Sequence, residues 1–142
     1  MTTVQQIFDM AIHLMDEQNE STGATGTVDT NEYKFRTISI LNSVIPRLYV
    51  YSANYVDKGK GRNAPRQLTA DNYAEPDFEQ TIPLDDVLSL TLLPYYLAAQ
   101  LLSAENEALS AWFMNQYRES FNDIRSKSLA DFEQMESPYG YF

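Results

Sequence analysis

The sequence contains no cysteine, one histidine and one tryptophan among its 142 residues. Without cysteine the chain has no disulfides and no thiolate chemistry, and with His13 as the only histidine a zinc site is not expected. Positive charge is also scarce, because ten lysines and arginines oppose twenty acids and leave a net charge of −10. Such a surface repels nucleic acid and anionic membranes at long range.

Catalytic motifs are equally hard to find. His13 falls opposite the apolar stripe of the first predicted helix, as an ordinary surface histidine does, and no motif places a serine and an acid beside it. The acid pairs Asp85 with Asp86 and Glu105 with Glu107 stand at predicted helix starts, where carboxylates complement the helix macrodipole. The stretch "DKGKGR" lacks the spacing of a phosphate-binding loop. The residues themselves therefore indicate no catalytic site, no metal and no cofactor.

Four segments carry apolar residues at helical spacing, and the length suits one domain over residues 1–142. The helices are predicted over residues 2–16, from a cap formed by Asp29 and Glu32, from Asp85 to about residue 104, and over about residues 105–127. The fold class is therefore an all-α small bundle of about four main helices. Three predicted core stripes are Val4, Ile7, Phe8, Ala11, Leu14 and Met15; Tyr33, Thr37, Ile40, Leu41, Val44, Leu48 and Tyr51; and Leu109, Phe113, Tyr117, Phe121 and Ile124. Pro46 projects opposite the second stripe and is expected to bend that helix or end it early.

A long irregular excursion separates the second and third helices, over about residues 52–82. It shows no sustained period, although "RQLTA" is a candidate strand of a short β-hairpin. The excursion holds Lys58, Lys60, Arg62 and Arg66 with no acid between them, whereas residues 67–117 hold eight acids and no base. Three readings of the four bases stay open: a solvated loop, a contact with DNA phosphates, and a contact with an acidic surface of a neighbouring subunit.

The stretch "LTLLPYYLAAQLL" is uncharged and has a proline inside it. On a helical wheel of residues 87–104 the polar side chains Ser89, Gln100 and Ser103 share a narrow strip with Tyr96, and only Thr91 lies elsewhere. A helix so apolar is buried on nearly all sides. Because acids rather than bases flank it, we expect no membrane insertion. Two readings remain: the centre of a monomeric bundle, and a helix packed partly on another subunit.

Pro94 does not prevent this helix from forming. A proline inside a helix costs about 3 kcal/mol. Eight leucines lie between Leu84 and Leu102, and each contributes about 1.5–3 kcal/mol when fully buried. We therefore expect a continuous helix with a kink at the proline.

Four aromatic residues near the C-terminal end of the chain are candidates for an interface. Trp112 is off the stripe of the fourth helix, and Tyr139, Tyr141 and Phe142 fall in a C-terminal tail of about residues 128–142. Exposed aromatic side chains are enriched at protein interfaces. These residues are candidate interface residues, and the alternative is that they fold back onto their own domain.

Several stretches resemble a known family. They are "TVQQIFDMAIHLMDEQNESTGATGT", "RTISILNSVIPRLY", "DDVLSLTLLPYYLAAQLLSAENEALSAWFMNQY" and the closing "SPYG". The chain is similar along most of its length to the head–tail connector (adaptor) proteins of long-tailed phages and prophages. The block LPYYLAAQLL-x-x-EN-x-x-L-x-x-(W/F)-F is the most distinctive part, and residues 52–82 match least.

The resemblance implies a structural virion protein with no catalytic residues. Such proteins are mostly helical and form a homo-oligomeric ring of about a dozen copies under the portal protein. The ring extends the DNA channel, contacts packaged DNA transiently and without sequence specificity, and joins the capsid to a tail-side completion or stopper protein. The expected location is the head–tail junction of the virion, with the bacterial host cytoplasm as the site of assembly. The alternative function is a small acidic helical adaptor or regulatory protein that binds a single protein partner.

Overall fold

The computed structural model describes residues 1–17, 20–27, 30–52, 66–69 and 75–136, with side chains described as far as residue 126. It contains four helices: α1 (Val4–Met15), α2 (Asn31–Tyr49), α3 (Asp86–Leu101) and α4 (Glu107–Glu136). Within the described ranges, β pairing is limited to one isolated antiparallel bridge between Thr3 and Thr81. The predicted all-α bundle of four main helices is confirmed, and most of the candidate hairpin lies outside the described ranges.

Helix α3 is the centre of the bundle, because it contacts each of the other three helices. Its side chains from Leu92 to Leu102 are buried except for the half-buried Tyr95 and Gln100. A row of aromatic contacts joins α3 to α4, with Tyr95 against Phe113 at 6.4 Å and Tyr96 against Tyr117 at 5.1 Å between ring centroids. The almost continuous apolar character of α3 follows from this position, since partners cover it from several sides.

Both internal prolines are accommodated within their helices. Helix α3 continues from Asp86 to Leu101 across the buried Pro94, so the prediction that the helix survives its proline is confirmed. Pro46 is exposed and lies away from the core, as predicted, and α2 continues past it to Tyr49. The predicted kink at Pro94 stays a prediction.

The open strip of α3 differs from the predicted one. Ser89 and Tyr96, expected on the polar strip, are buried, whereas Val87 is 70% exposed and Leu90 41%. Thr91 is exposed beside them. Because α3 is apolar around most of its circumference, its sequence does not fix which side faces the neighbouring helices. Packing against α1, α2 and α4 decides the rotation, and the N-terminal half keeps one uncovered side.

The ends of the other helices need three corrections. Leu14, predicted in the core stripe, is exposed, and Ile12 is buried in its place. The N-cap of α2 is Thr30 rather than the predicted Asp29, which lies outside the described residues. Helix α4 begins at Glu107 and runs to Glu136, nine residues beyond the predicted end, so part of the predicted tail is helical.

The described part of the excursion packs against the start of α1. The backbone N–H groups of Val4 and Gln5 donate to the carbonyls of Gln80 and Phe78 at 2.9 and 2.8 Å. These are among the N–H groups that the first turn of a helix leaves without partners. The excursion also contributes to the core, because Phe78 is buried and its ring lies 5.1 Å from that of Phe8.

Candidate protein-binding groove

An apolar groove of about 500 Å³ lies between the end of α1 and the start of α4. Its lining residues are Leu14, Asn106, Ala108, Leu109, Trp112 and Phe113. Every one of them is uncharged, in a chain of net charge −10. Two large side chains of the groove are open to solvent, Trp112 at 52% exposure and Leu14 at 38%. The groove is therefore an apolar site on a strongly acidic protein.

The α1 side of the groove is set by an abrupt helix end. Asp16 adopts the left-handed conformation with φ of 59°, which asparagine and aspartate tolerate better than most residues. The N–H groups of Asp16 and Glu17 then donate to the carbonyls of His13 and Ile12 at 3.2 and 3.1 Å. The last turn of α1 is closed in this way, with Met15 in the core and Leu14 facing outward.

The α4 side begins with an asparagine cap. The side-chain oxygen of Asn106 accepts a hydrogen bond from the Leu109 N–H at 3.0 Å, and the Asn106 carbonyl accepts one from the Ser110 N–H at 2.9 Å. This is the arrangement by which asparagine stabilises a helix start. The Ser110 hydroxyl donates to the carbonyl of Ala99 at 2.7 Å and ties this turn to α3.

The turn between α3 and α4 is also held from α2. The Tyr33 hydroxyl donates to a Glu105 carboxylate oxygen at 2.6 Å, and the Arg36 guanidinium donates to the Leu101 carbonyl at 3.0 Å. Burial, reinforced by the bond to Glu105, raises the pKa of the Tyr33 phenol well above its ordinary value. Contacts from α2 and α3 therefore fix the start of α4, and with it one wall of the groove, before any partner binds.

Trp112 presents its indole ring at the surface of the groove. The ring packs edge-on against the buried Phe113, with 5.1 Å between centroids and 73° between planes. Aromatic rings bind each other best in offset or edge-to-face geometry. A half-exposed tryptophan fixed on a buried phenylalanine, beside Leu14, can receive an apolar or aromatic side chain of another protein.

The predicted site residues are distributed unevenly over the structure. Trp112, a predicted interface residue, lines the groove. Arg66 is exposed, and its guanidinium donates to the carbonyl and hydroxyl oxygens of Thr81 at 2.7 and 3.0 Å, on its own chain. Its role at the channel or a neighbouring subunit stays a prediction. The remaining candidates lie outside the described residues: Lys58, Lys60, Arg62, Tyr139, Tyr141 and Phe142.

Of the six groove residues the sequence analysis singled out only Trp112, because Leu14, Leu109 and Phe113 were assigned to core stripes and Asn106 and Ala108 to no site. Leu109 is half-buried and packs on the edge of the core, while Leu14 is exposed. The sequence did hold a signal that Leu14 is exposed, because it lies in the last turn of α1, next to the surface residue His13. Periodicity assigns such a residue to the apolar face of its helix. It does not show whether the neighbouring helices extend far enough to cover that residue.

His13 is exposed, as predicted, and its Nε2 lies 3.1 Å from the carbonyl oxygen of Gly23. Among the described residues, no group of three or more histidine and acidic side chains is arranged to hold a metal ion. A search of the same residues also finds no helix with the length and apolar character needed to cross a bilayer.

Comparison of the chain with protein-family models, with curated proteins and with solved structures finds no match.

Proposed function

We propose that this protein is a structural component of a tailed-phage or prophage virion that forms a ring under the portal. The ring extends the DNA channel and joins the capsid to a tail-side protein. The observation that carries the proposal is the exposed, uncharged groove around Trp112, which is a surface suited to another protein chain. Three of its lining residues, Asn106, Leu109 and Trp112, are fixed positions of the block that most resembles phage connectors.

The charge distribution supports a channel component. At −10 per copy, a ring of about a dozen copies carries on the order of −120 charges, and like charge keeps DNA from adhering to the wall. Ring formation needs two different complementary faces on each copy. An acidic region over residues 67–117 and a basic segment from Lys58 to Arg66 offer one such pair.

The burial of α3 refines the assembly that the sequence suggested. The sequence left open whether the surroundings of this helix come partly from other copies, and its own chain covers most of the helix. Only the side with Val87, Leu90 and Thr91 stays open. A subunit of this kind is suited to fold before it assembles and to join a portal as a finished unit.

The direct test is to mix the protein with purified portal rings of the phage or prophage that encodes it and to image the complex by electron microscopy. We expect one additional annular layer with about a dozen copies. A protein that leaves the portal bare, and that instead co-purifies one-to-one with a soluble partner, is the alternative adaptor or regulator, and that result would overturn the proposal.

The four bases of the excursion give a second test. Replacing Lys58, Lys60, Arg62 and Arg66 with glutamine is expected to weaken ring assembly on the portal or the retention of packaged DNA, because their charge contacts a neighbour or phosphates. A control variant carries the same change at the exposed Arg47, Arg118 and Arg125. Assembly and DNA retention equal to those of the unsubstituted protein would refute the role assigned to the four bases.

A further inference from the structure

The groove around Trp112 has a chemically matched segment in the same chain. The residues after α4 read SPYGYF, a stretch with three aromatic side chains and no charged side chain. The groove is likewise uncharged and contains an exposed tryptophan and an exposed leucine. We propose that the groove of one copy binds the aromatic segment of residues 137–142 of a second copy. This inference rests on the proposed ring function and names the contact between its subunits.

The length of α4 prevents the segment from reaching the groove of its own chain. At about 1.5 Å per residue, the helix places Glu136 about 36 Å from Trp112. A fully extended chain spans at most about 3.6 Å per residue, so residues 137–142 reach only about 22 Å beyond Glu136. The groove lies at the start of α4 and the segment follows its end. An occupant of this sequence therefore comes from another copy.

This geometry generates a head-to-tail assembly. Each copy has one groove near Leu14 and Trp112 and one aromatic segment at the opposite end of α4. A contact between two different surfaces repeats from copy to copy, and it closes into a ring when the rotation between copies permits. A single kind of contact of this type is sufficient to link all subunits of an annulus.

The energetic basis is the burial of aromatic side chains against a fixed surface. Aromatic side chains bring large apolar area at a small cost in side-chain entropy, and tyrosine and phenylalanine are enriched at protein interfaces. The Trp112 ring is held on Phe113, and the cap at Asn106 and the bond from Ser110 to Ala99 fix the backbone beneath it. The surface is therefore formed before the segment arrives, which reduces the cost of ordering it.

The only tryptophan of the chain provides a direct readout. A synthetic SPYGYF peptide is titrated into the full-length protein while Trp112 emission is excited selectively. We expect a saturable shift of the emission to shorter wavelength as the ring loses water. A matched peptide with serine at the positions of Tyr139, Tyr141 and Phe142 is expected to bind at least about tenfold more weakly. Absence of a saturable shift, or equal shifts with both peptides, would overturn the inference.

Cross-linking distinguishes contact between copies from contact within one. Because the chain lacks cysteine, Leu14→Cys and Phe142→Cys introduce the only thiols. The two single variants are mixed on portal rings and treated with a short bismaleimide. We expect a covalent dimer that contains one of each variant. Val87→Cys, exposed but outside the groove, replaces Leu14→Cys as the control and is expected to give little dimer.

A double variant with both cysteines in one chain completes the experiment. We expect cross-linked multimers of increasing size, and a product linked only within one chain would overturn the inference. Failure of the ring proposal gives a different result, because the unsubstituted protein would then leave the portal bare. If rings form normally on the portal with all three aromatic residues of the segment changed to serine, the ring function stands and the inferred contact is wrong.

Discussion

Two buried polar atoms among the described residues have no hydrogen-bond partner, the Ser89 hydroxyl and the Arg36 Nε. Arg36 still donates through another nitrogen to Leu101, and its guanidinium lies 5.9 Å from the Tyr33 ring. Ser89 is fully buried in α3 and has lost water without gaining a partner. An unpaired buried hydroxyl costs free energy, so Ser89 is a position where the native residue lowers stability.

Ser89→Ala is therefore expected to raise the free energy of unfolding by about 1–2 kcal/mol, since it removes the desolvated hydroxyl and improves helix propensity. Thr91→Ala on the exposed side of α3 is the matched control, because it changes helix propensity alone, by about 0.5 kcal/mol. Urea denaturation followed by circular dichroism measures both. Equal effects of the two substitutions would show that the Ser89 hydroxyl carries no burial penalty.

Tyr33 makes the stability of the protein sensitive to alkaline pH. Its pKa is raised in the folded state, while the unfolded phenol ionises near pH 10. Below about pH 10 both states keep the proton and the contribution of Tyr33 is complete. Above it the unfolded state releases the proton first, so the free energy of unfolding falls as pH rises.

We expect Tyr33→Phe to be less stable than the unsubstituted protein at pH 8, by about 1 kcal/mol, because the hydrogen bond to Glu105 is lost. The difference between the two proteins should narrow above pH 10. Chemical denaturation at a series of pH values from 8 to 11 measures it. If the free energies of unfolding of the two proteins differ by the same amount from pH 8 to 11, the loss of stability at alkaline pH does not come from Tyr33.

At the scale of the elements, the excursion between α2 and α3 is attached to α2 by the side-chain amide of Asn42, and the side-chain amide of Gln80 stabilises the excursion internally. The Asn42 amide nitrogen donates to the Leu68 carbonyl at 3.0 Å, and the Asn42 oxygen accepts from the Leu68 N–H at 2.9 Å. Gln80 binds both backbone groups of Thr69 in the same manner, at 2.6 and 3.0 Å. These amides satisfy backbone groups that would pair with a neighbouring strand in a sheet.

Asn42→Ala is expected to destabilise the protein by about 1–3 kcal/mol, because both backbone groups of Leu68 lose their partner beside the core. The diagnostic measurement is hydrogen exchange, in which the Leu68 amide should lose protection while amides of α3 keep theirs. Ser43→Ala is the control on the same helix. The exposed Ser43 hydroxyl donates to the Ile40 carbonyl within α2 at 2.6 Å and lies 3.5 Å from the Tyr96 hydroxyl, so it does not hold the excursion. A Leu68 amide that stays protected in Asn42→Ala would contradict this attachment.

At the scale of the whole molecule, α3 links the parts into one unit. Helices α1, α2 and α4 each pack on it, and the core residues from all four helices form one cluster that includes Leu68, Phe78 and Ile82 of the excursion. A domain with one such core unfolds cooperatively. A destabilising substitution in the centre of α3 should therefore lower the stability of all four helices together.

Leu97→Ala tests this central role. Leu97 is fully buried in α3, and its truncation is expected to lower the free energy of unfolding by about 2–5 kcal/mol. Val87→Ala on the same helix is 70% exposed and is expected to change it by no more than about 0.5 kcal/mol. Thermal unfolding followed by circular dichroism and by Trp112 fluorescence should give coincident transitions. Transitions that separate would show that α4 unfolds independently of α3.

The sequence by itself determined the number and kind of the helices and the approximate bounds of the first three. Apolar spacing placed Val4, Phe8, Leu41 and Phe113 in the core correctly, because a helix that packs on one side repeats its apolar residues with the period of its turn. It also determined that α3 continues past Pro94, since the burial of many leucines exceeds the cost of one proline.

Only the tertiary structure decided the rotation of α3 and the place of the groove. A helix that is apolar on nearly every side has no preferred face, so its neighbours determine that Val87 is open and Ser89 buried. Leu14 lies on the apolar side of α1, but whether water reaches it depends on where α4 begins, at a position distant in sequence. Periodicity reports the face of one helix, whereas exposure depends on the extent of its partners.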